Sequence, residues 1–274
     1  MELIVFDLDG TLLNRDSKIS AYTHDTLVAL AEQGIAYTVA TGRTLHGAAE
    51  ILAGNNFHLP QIFKNGVMIW HPGERQYSHQ NFLTLGEIEH ILEAILAQNI
   101  TPFLFTLEPG NRHAIYHSSL QNEVEEKLAA EFSKRMGVDV LPVAQLPADA
   151  EITNISSMGI PSAIESVALL IETEPHLVAY VGAALEDKSL KWMDIHNSDA
   201  SKGGAVQVLR EQLGATKVLC FGDSDNDLSM FAAADECYAP DNAKELVKAA
   251  ATEVIGHHDE DGIARYLRER FDLN

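Results

Sequence analysis

Two aspartates, Asp7 and Asp9, follow directly after a short apolar segment near the start of the chain. That segment, residues 3–6, carries consecutive apolar side chains, which is typical of a strand buried in a parallel sheet. Ligands of open α/β sheets bind beyond the carboxyl ends of the strands. Carboxylates this close repel each other unless a positive charge joins them, and divalent cations prefer such oxygen ligands. The spacing therefore predicts a divalent-cation site at this strand end.

Other polar residues occupy similar positions later in the chain, at the ends of predicted strands or at the start of a predicted helix. These residues are Thr41, Gly42 and Arg43 after one strand, Lys202 before a helix, and Asp223, Asn226 and Asp227 after another strand. Each cluster alone is a weak signal, since a pair of acidic residues is common on protein surfaces. Their shared position is the reason to interpret them together as one site.

Phosphoryl transfer is the chemistry that the acidic residues suit. Asp7 and Asp223 supply the hard oxygen ligands that Mg²⁺ prefers. A carboxylate such as Asp7 can also attack phosphorus and form an aspartyl phosphate. Asp9 can then act as an acid towards the leaving oxygen and as a base towards water.

The remaining polar residues suit supporting roles in the same reaction. Thr41 offers a hydroxyl donor to a phosphoryl oxygen. Lys202 offers a positive charge, and its position before a helix adds to this because helix N-termini attract anions. Asn226 can hydrogen-bond the nucleophile or the phosphate, and Asp227 suits an indirect contact to the metal, through water or through a residue that binds the metal. Arg43 either touches the substrate or forms a surface salt bridge.

Strands and helices alternate over the first 70 residues and again after about residue 198. The predicted elements are helices over residues 23–33, 45–53 and 203–212, and strands over residues 35–40, 60–63 and 218–221. This βαβ rhythm predicts a parallel sheet with right-handed crossovers.

The middle of the chain has more strands and fewer long helices. The pattern predicts helices over residues 85–98, 120–135 and 162–173, and strands over residues 101–107, 113–117, 152–160, 177–181 and 190–196. This composition predicts an antiparallel α+β module with its helices on one face. The α/β domain is therefore split, with residues 1–82 and 197–274 forming the core and residues 83–196 forming an inserted domain.

Composition limits what the protein binds. The 274 residues include 19 basic and 40 acidic side chains, for a formal net charge of −21. Such acidity argues against binding to nucleic acids, which needs basic side chains, and against adhesion to anionic membranes. The sequence has no run of about 18 apolar residues and starts without a leader, so we expect a cytoplasmic protein. No pattern indicates a disulfide framework or an oligomeric state.

The motifs together resemble those of the haloacid dehalogenase (HAD) superfamily of phosphohydrolases, and within it the Cof-type branch, class IIB. The matching motifs are Asp7-Leu-Asp-Gly-Thr11, Thr41-Gly42-Arg43, Lys202-Gly-Gly and Gly222-Asp-Ser-Asp-Asn-Asp227. Landmarks of the same branch are Asn65-Gly66, Asp241-Asn242-Ala243 and Asp261-Gly262-Ile263, so the resemblance spans the whole chain. It implies a Rossmann-like core with a C2B-type cap inserted between the second and third motifs.

The resemblance also implies a reaction and the residues that perform it. Asp7 would be the nucleophile and Asp9 the acid/base. Mg²⁺ would be held by Asp7, the Asp9 backbone carbonyl and Asp223, and phosphate by Thr41 and Lys202. The protein would be a Mg²⁺-dependent phosphatase for a small phosphorylated metabolite, such as a sugar phosphate, with the cap as a lid.

Two other functions use similar residues. A phospho-Asp signalling receiver gathers acids, a Thr and a Lys around an aspartate, but it normally ends near about 120 residues. A phosphotransferase or phosphomutase would pass the phosphoryl group to a sugar hydroxyl instead of water.

Two local features also have alternatives. Asn65 either contacts substrate or only makes an Asn-Gly turn, and His257-His258-Asp259 is interpreted as a solvated loop rather than a metal site.

Overall fold

A computed structural model describes residues 1–78, 81–184 and 187–273, with the side chains of all of these except residues 135 and 136. The chain divides into two compact units. The core unit comprises Met1–Gln80 and Ala200–Asn274, and the inserted unit comprises Asn81–Asp199. Within the described ranges, every helix is too short or too polar to cross a membrane.

Regular elements follow one another closely in both units. The first segment of the core unit contains β1 (Glu2–Phe6), α1 (Ala21–Glu32), β2 (Ala36–Val39), α2 (Leu45–Leu52), β3 (Gln61–Phe63), β4 (Met68–His71) and β5 (Gln76–Ser78). The inserted unit contains α3 (Leu85–Ala97), β6 (Phe103–Glu108), β7 (Arg112–His117), α4 (Glu123–Met136), β8 (Asp139–Pro142), β9 (Glu151–Gly159), α5 (Pro161–Ile171), β10 (Leu177–Ala183) and β11 (Lys191–Asn197). The second segment of the core unit contains α6 (Lys202–Leu213), β12 (Lys217–Phe221), α7 (Leu228–Ala233), β13 (Glu236–Pro240), α8 (Glu245–Ala250), β14 (Glu253–Ile255) and α9 (Gly262–Arg270).

The core unit is built on a five-stranded parallel sheet with the strand order β14–β13–β12–β1–β2. Side chains of β1 alternate between two hydrophobic cores. Ile4 and Phe6 pack in the core that includes residues of α1 and α9, and Leu3 and Val5 pack in the core that includes residues of α6, α7 and α8. Both faces of β1 are buried, which explains why its sequence is apolar without alternation.

The strand predicted at residues 60–63 forms as β3, but it does not extend the parallel sheet. It pairs antiparallel with β4, and β4 pairs antiparallel with β5, in a separate three-stranded sheet. A parallel bridge between Ala40 and Ile62 connects it to the end of β2. The chain turns back after β3 because residues 64–66 adopt positive φ angles of 50°, 54° and 100°. The assignment of this strand to the parallel sheet is therefore wrong, and the β4–β5 hairpin was not predicted.

The inserted unit is built on a six-stranded sheet with the order β10–β11–β9–β6–β7–β8. Neighbouring strands run antiparallel except β7 and β8, which are parallel. This mixed sheet with helices confirms the α+β class of the inserted module, although β8 and its parallel pairing were not predicted.

Helices pack on both faces of this sheet, which corrects the prediction of one face. Leu104 of β6 lies in the core that α3 and α5 cover. Phe103 and Phe105 face the other way and pack against Phe132 of α4, with ring centroids 5.4 and 5.3 Å apart. Because side chains alternate along a strand, the consecutive apolar residues of β6 supply a core on each side.

Candidate active site

Parallel pairing brings the first and fourth motifs together at adjacent strand ends. β1 pairs with β12 along its whole length, and the Asp7 backbone N–H continues the pairing by donating to the Phe221 carbonyl at 2.9 Å. The Thr11 hydroxyl donates to Oδ1 of Asp223 at 3.1 Å. Gly10 has a φ of 74°, and a Cβ at this position would lie 2.6 Å from Oδ2 of Asp223. Glycine is therefore required for the first motif to turn so close to Asp223.

Lys202 is completely buried and lies between two carboxylates. Its Nζ donates to Oδ1 of Asp7 at 2.6 Å and to Oδ1 of Asp227 at 2.7 Å. Ser201 caps α6 by accepting a backbone N–H of the first turn at 3.0 Å, so the helix begins at Lys202. A Cβ at Gly66, whose φ is 100°, would lie 2.1 Å from the Ser201 carbonyl oxygen. The tight turn after β3 thus packs directly against the start of α6.

Asp227 holds the fourth motif in place. Its Oδ2 accepts the backbone N–H groups of Asp223 and Ser224, both at 2.9 Å. Its Oδ1 accepts from Lys202, and the side chain is fully buried. Both oxygens of Asp227 are therefore engaged by the protein, which orients Lys202 and the loop that carries Asp223.

The buried charges of the site shift one another's pKa values. Burial raises the pKa of Asp7 well above its ordinary value, Lys202 opposes that increase, and Asp227 and Asp223 add to it. Burial, followed by the charge of Asp227, raises the pKa of Asp223 to about 6. Burial lowers the pKa of Lys202, but the charges of Asp227 and Asp7 outweigh burial and raise it, so the ammonium keeps its proton. Three carboxylates around one ammonium leave an excess of negative charge that a divalent cation would neutralise.

Three carboxylates of this cluster are close enough together to hold a metal ion. Ligand oxygens of Asp7, Asp223 and Asp227 lie within 4.8 Å of one another. Because Lys202 and two backbone N–H groups already occupy Asp227, Asp7 and Asp223 have the greater capacity for direct metal contacts. Two carboxylates with water and substrate completing the shell match the preference of Mg²⁺ for few protein ligands. The buried acidic group can therefore hold a metal.

Thr41 lies just beyond β2, which is the parallel neighbour of β1, and its side chain is buried. Its Oγ1 accepts the backbone N–H of Arg43 at 3.1 Å. That contact uses an acceptor position of the hydroxyl, and a hydroxyl carries its own hydrogen as a separate donor. The Thr41 hydroxyl is thus suited to donate to a bound group.

The Arg43 side chain binds the Asp9 carboxylate through two parallel hydrogen bonds. Nε donates to Oδ2 at 2.7 Å and Nη2 donates to Oδ1 at 2.6 Å. Nη1 donates to the Gly47 carbonyl at 3.1 Å. Of the two interpretations of Arg43, the structure shows a salt bridge, and its partner is the predicted acid/base.

Asn226 and Asn65 contact each other through their side chains. Nδ2 of Asn226 donates to Oδ1 of Asn65 at 2.9 Å, and Oδ1 of Asn226 accepts from the Ser224 hydroxyl at 2.9 Å. Asn65 is buried, and its Oδ1 lies 3.2 Å from the position of a Cβ at Gly42. Asn65 therefore forms part of the turn after β3 and also connects the second motif to the fourth.

Asn242 and His258, to which the sequence pattern assigns no role, hold the first motif in place. Nδ2 of Asn242 donates to the Gly10 carbonyl at 2.8 Å, and its Oδ1 accepts the His258 backbone N–H at 3.1 Å. Nδ1 of the His258 ring lies 2.6 Å from the Leu13 carbonyl oxygen. In the sequence Asn242 is only a family landmark, because contacts to backbone atoms leave no signal in residue spacing.

The loop His257-His258-Asp259 is half-buried, which corrects its interpretation as a solvated loop. Ligand atoms of the three side chains lie within 4.8 Å of one another. The Asp259 carboxylate, however, accepts the Arg15 backbone N–H at 2.6 Å and pairs with the Arg15 guanidinium at 2.9 Å. Together with the His258 contact, this pairing packs the loop against the segment that follows the first motif.

Known proteins resemble the chain over nearly its whole length. The family model of haloacid dehalogenase-like hydrolases matches residues 4–267. The 5-amino-6-(5-phospho-D-ribitylamino)uracil phosphatase YwtE of Bacillus subtilis is 27% identical, with 97% of each chain covered. Phosphatase YwpJ of the same organism is 28% identical, with 98% of this chain and 99% of the relative covered.

A solved structure shows the same fold. The HAD subclass IIB sugar phosphatase BT4131 matches with a TM-score of 0.76 at 22% identity, over 100% of both chains. This likeness confirms the predicted fold class, a parallel α/β core with an inserted mixed-sheet cap. The chain belongs to the haloacid dehalogenase-like hydrolases, the family whose model spans both segments of its core unit and the inserted unit.

Proposed function

We propose that this protein is a Mg²⁺-dependent phosphatase that hydrolyses a small phosphorylated metabolite through an aspartyl phosphate on Asp7. The observation that carries the proposal is the ammonium of Lys202, buried 2.6 Å from Oδ1 of Asp7. A protonated lysine in this position favours the ionised nucleophile and attracts the phosphate dianion. Asp223, which the Thr11 hydroxyl holds against the first motif, supplies the second carboxylate for the metal.

The first step transfers the phosphoryl group to the protein. Lys202 engages Oδ1 of Asp7, so we assign the attack on phosphorus to Oδ2. As this bond forms, the bond between phosphorus and the leaving oxygen breaks, and Asp9 donates a proton to that oxygen. Asp7, the Asp9 backbone carbonyl and Asp223 would hold Mg²⁺, which would supply positive charge to stabilise the phosphoryl oxygens.

The second step returns the nucleophile. Asp9, now a carboxylate, takes a proton from water, the water oxygen attacks phosphorus, and the bond from phosphorus to Asp7 breaks. An ammonium has three N–H donors, and Lys202 uses two of them on Asp7 and Asp227. The third donor is assigned to a phosphoryl oxygen in both steps. The products are the alcohol and inorganic phosphate.

The second motif and Asn226 would complete the phosphate site. The hydroxyl of Thr41, which accepts from the Arg43 backbone, donates its own hydrogen to a phosphoryl oxygen. Gly42 has no side chain between the strand end and Asn65, which leaves room for the phosphate beside the backbone. Asn226 is held by Asn65 and Ser224, so its amide is oriented before substrate arrives.

The proposed substrate class is a phosphate ester of a small polyhydroxylated metabolite. The relative YwtE is named for a phosphorylated ribityl compound and BT4131 for a sugar phosphate, which supports that class. The receiver alternative has little support, because the family match covers residues 4–267 and includes the inserted unit. Transfer to a sugar hydroxyl uses the same first step, so product analysis must separate it from hydrolysis.

A pair of matched variants tests the nucleophile. Turnover of p-nitrophenyl phosphate with Mg²⁺ is measured for the wild type, for Asp7→Asn and for Asp25→Asn, an exposed carboxylate on α1. Asp7→Asn should abolish turnover, because the amide is not a nucleophile, while Asp25→Asn should leave it unchanged. Circular dichroism establishes that both variants are folded. Substantial turnover by folded Asp7→Asn would contradict the assignment.

Product analysis tests the fate of the phosphoryl group. A panel of phosphorylated metabolites is first compared by kcat/KM to find the best substrate. That substrate is then turned over in ¹⁸O-labelled water with a free sugar present, and the products are identified. Hydrolysis places one labelled oxygen in the released phosphate. Phosphorylation of the sugar in place of labelled phosphate would show a phosphotransferase.

A further inference from the structure

Both carboxylate oxygens of Asp9 accept hydrogen bonds from one guanidinium, that of Arg43, at 2.6 and 2.7 Å. Arg43 therefore engages both oxygens of this side chain at once, in the two-pronged geometry that pairs a guanidinium with a carboxylate. In the proposed reaction Asp9 must give a proton to the leaving oxygen. The observed pair is therefore a resting arrangement that has to open before Asp9 can act.

The guanidinium of Arg43 is also well placed to meet the phosphate of the proposed reaction. The Arg43 backbone N–H contacts Thr41, two residues earlier, at 3.1 Å. The guanidinium lies against the first motif, because its partner Asp9 is two residues after Asp7, the proposed nucleophile. Arg43 thus joins the second motif, which carries Thr41, to the motif that receives phosphorus.

The existing pair is open to water, which allows its partners to exchange. The Asp9 side chain is 54% exposed and that of Arg43 is 25% exposed, so water screens their attraction. A phosphate dianion offers the same guanidinium two parallel charge-assisted bonds with more charge. The bond from Nη1 to the Gly47 carbonyl does not involve Asp9 and can persist while the other two donors change partner.

We propose that Arg43 exchanges partners on substrate binding: it holds Asp9 in the free enzyme, moves to the phosphoryl oxygens of the substrate, and so releases Asp9 for proton transfer. This inference rests on the proposed phosphatase function. It makes Arg43 a phosphate-binding residue that competes with Asp9, and it makes release of the acid/base conditional on a bound phosphate.

Steady-state kinetics of Arg43→Gln separates exchange from a permanent pair. Exchange predicts that KM for p-nitrophenyl phosphate and the inhibition constant of inorganic phosphate both rise about tenfold or more, with a much smaller loss in kcat. Arg43→Lys, which keeps the charge without the two-pronged geometry, should fall between wild type and Arg43→Gln. Arg210→Gln is the matched control, since Arg210 forms a similarly exposed pair with Asp235 and should change neither constant.

A double-mutant cycle tests the competition itself. Calorimetry with Mg²⁺ measures binding of inorganic phosphate to the wild type, Asp9→Asn, Arg43→Gln and the double variant. If phosphate must displace Asp9 from Arg43, Asp9→Asn raises phosphate affinity several-fold, and this gain disappears in the Arg43→Gln background. Simple charge repulsion between Asp9 and phosphate would give the same gain in both backgrounds.

Several results would overturn the exchange. In folded Arg43→Gln, these results are a lowered kcat with unchanged KM and phosphate inhibition constant, or no change in any of the three. In the binding cycle, the contrary result is a gain in phosphate affinity from Asp9→Asn that persists in the Arg43→Gln background. Thermal unfolding establishes that each variant is folded, and Arg43→Lys replaces Arg43→Gln if the latter is not. The binding cycle does not depend on turnover, so a failure of the Asp7 mechanism would be seen separately, as residual turnover by Asp7→Asn.

Discussion

Replacing Asp227 by Asn should destabilise the protein severely, although the substitution changes one atom. Oδ1 of Asp227 accepts from the buried Lys202 ammonium, and Oδ2 accepts two backbone N–H groups. These three hydrogen-bond partners are all donors, whereas an amide has only one acceptor oxygen. If that oxygen faces the backbone, the NH₂ group faces the ammonium. If the amide is turned around, its NH₂ group faces the two backbone N–H groups.

The expected magnitude follows from this geometry. Removing one partner of a buried ion pair typically costs about 3–5 kcal/mol, because it leaves a buried charge without compensation. Asp7 still contacts Lys202 in the variant, at 2.6 Å, so we expect about 3 kcal/mol, the lower end of that range. Asp225→Asn is the control, because Asp225 forms an exposed pair with Lys244 that contributes at most about 1 kcal/mol.

Urea unfolding of the two variants and the wild type, followed by circular dichroism, measures the difference. The midpoint for Asp227→Asn should fall well below that of Asp225→Asn, which should lie near the wild type. An Asp227→Asn protein as stable as Asp225→Asn would refute the view that Asp227 compensates the charge of Lys202.

Three further outcomes are expected. The pKa of Asp223 is raised from its ordinary value of 3.8 to about 6 in the folded protein. The protonated Asp223 therefore stabilises the native state fully below pH 3.8, and this stabilisation is lost as pH rises through 6. The unfolding temperature in EDTA should therefore fall between pH 4 and pH 7 more steeply in the wild type than in Asp223→Asn, and an equal slope would contradict the raised pKa. Gly10→Ala places a Cβ 2.6 Å from Oδ2 of Asp223 and should cost about 1–2 kcal/mol of stability and weaken Mg²⁺ binding in calorimetry, and unchanged binding would argue against Asp223 as a ligand. Asn242→Ala removes the hydrogen-bond partners of the Gly10 carbonyl and the His258 N–H. It should lower the free energy of unfolding by about 1–3 kcal/mol and lower kcat. Wild-type stability and kcat in this variant would show that Asn242 does not hold the first motif in place.

The parallel core was predictable because its strands obey a simple rule. A strand buried on both faces has a continuous apolar sequence, and residues 3–6 and 218–221 both show it. The ends of neighbouring parallel strands meet at one sheet edge, so the proximity of Asp7 and Asp223 follows from sequence once these strands are paired.

The errors have equally local causes. A three-residue strand such as β3 is too short for its sequence pattern to distinguish a parallel from an antiparallel neighbour. It pairs antiparallel with β4 because the positive φ angles of residues 64–66 turn the chain back. Side chains of β6 alternate between the two faces of its sheet, and both sets are apolar. The sequence of β6 therefore does not indicate which face α4 covers.

Two features of the site depend on contacts that sequence patterns do not encode. The Arg43 guanidinium hydrogen-bonds the Asp9 carboxylate, 34 positions away in the sequence. The Asn242 amide hydrogen-bonds the Gly10 carbonyl, 232 positions away. Both become visible only when the strands are in register, because neither contact repeats with the period of a helix or a strand.

Identification of the phosphorylated residue is the most direct measurement of whether Asp7 accepts the phosphoryl group. Asp9→Asn, which lacks the base for the second step, is mixed with Mg²⁺ and p-nitrophenyl phosphate, quenched in acid and analysed by peptide mass spectrometry. The peptide that contains Asp7 should carry one phosphoryl group, and this group should be absent in Asp7→Asn/Asp9→Asn. A phosphoryl group on another residue, or release of phosphate by a wild type that never carries one, would contradict the assignment.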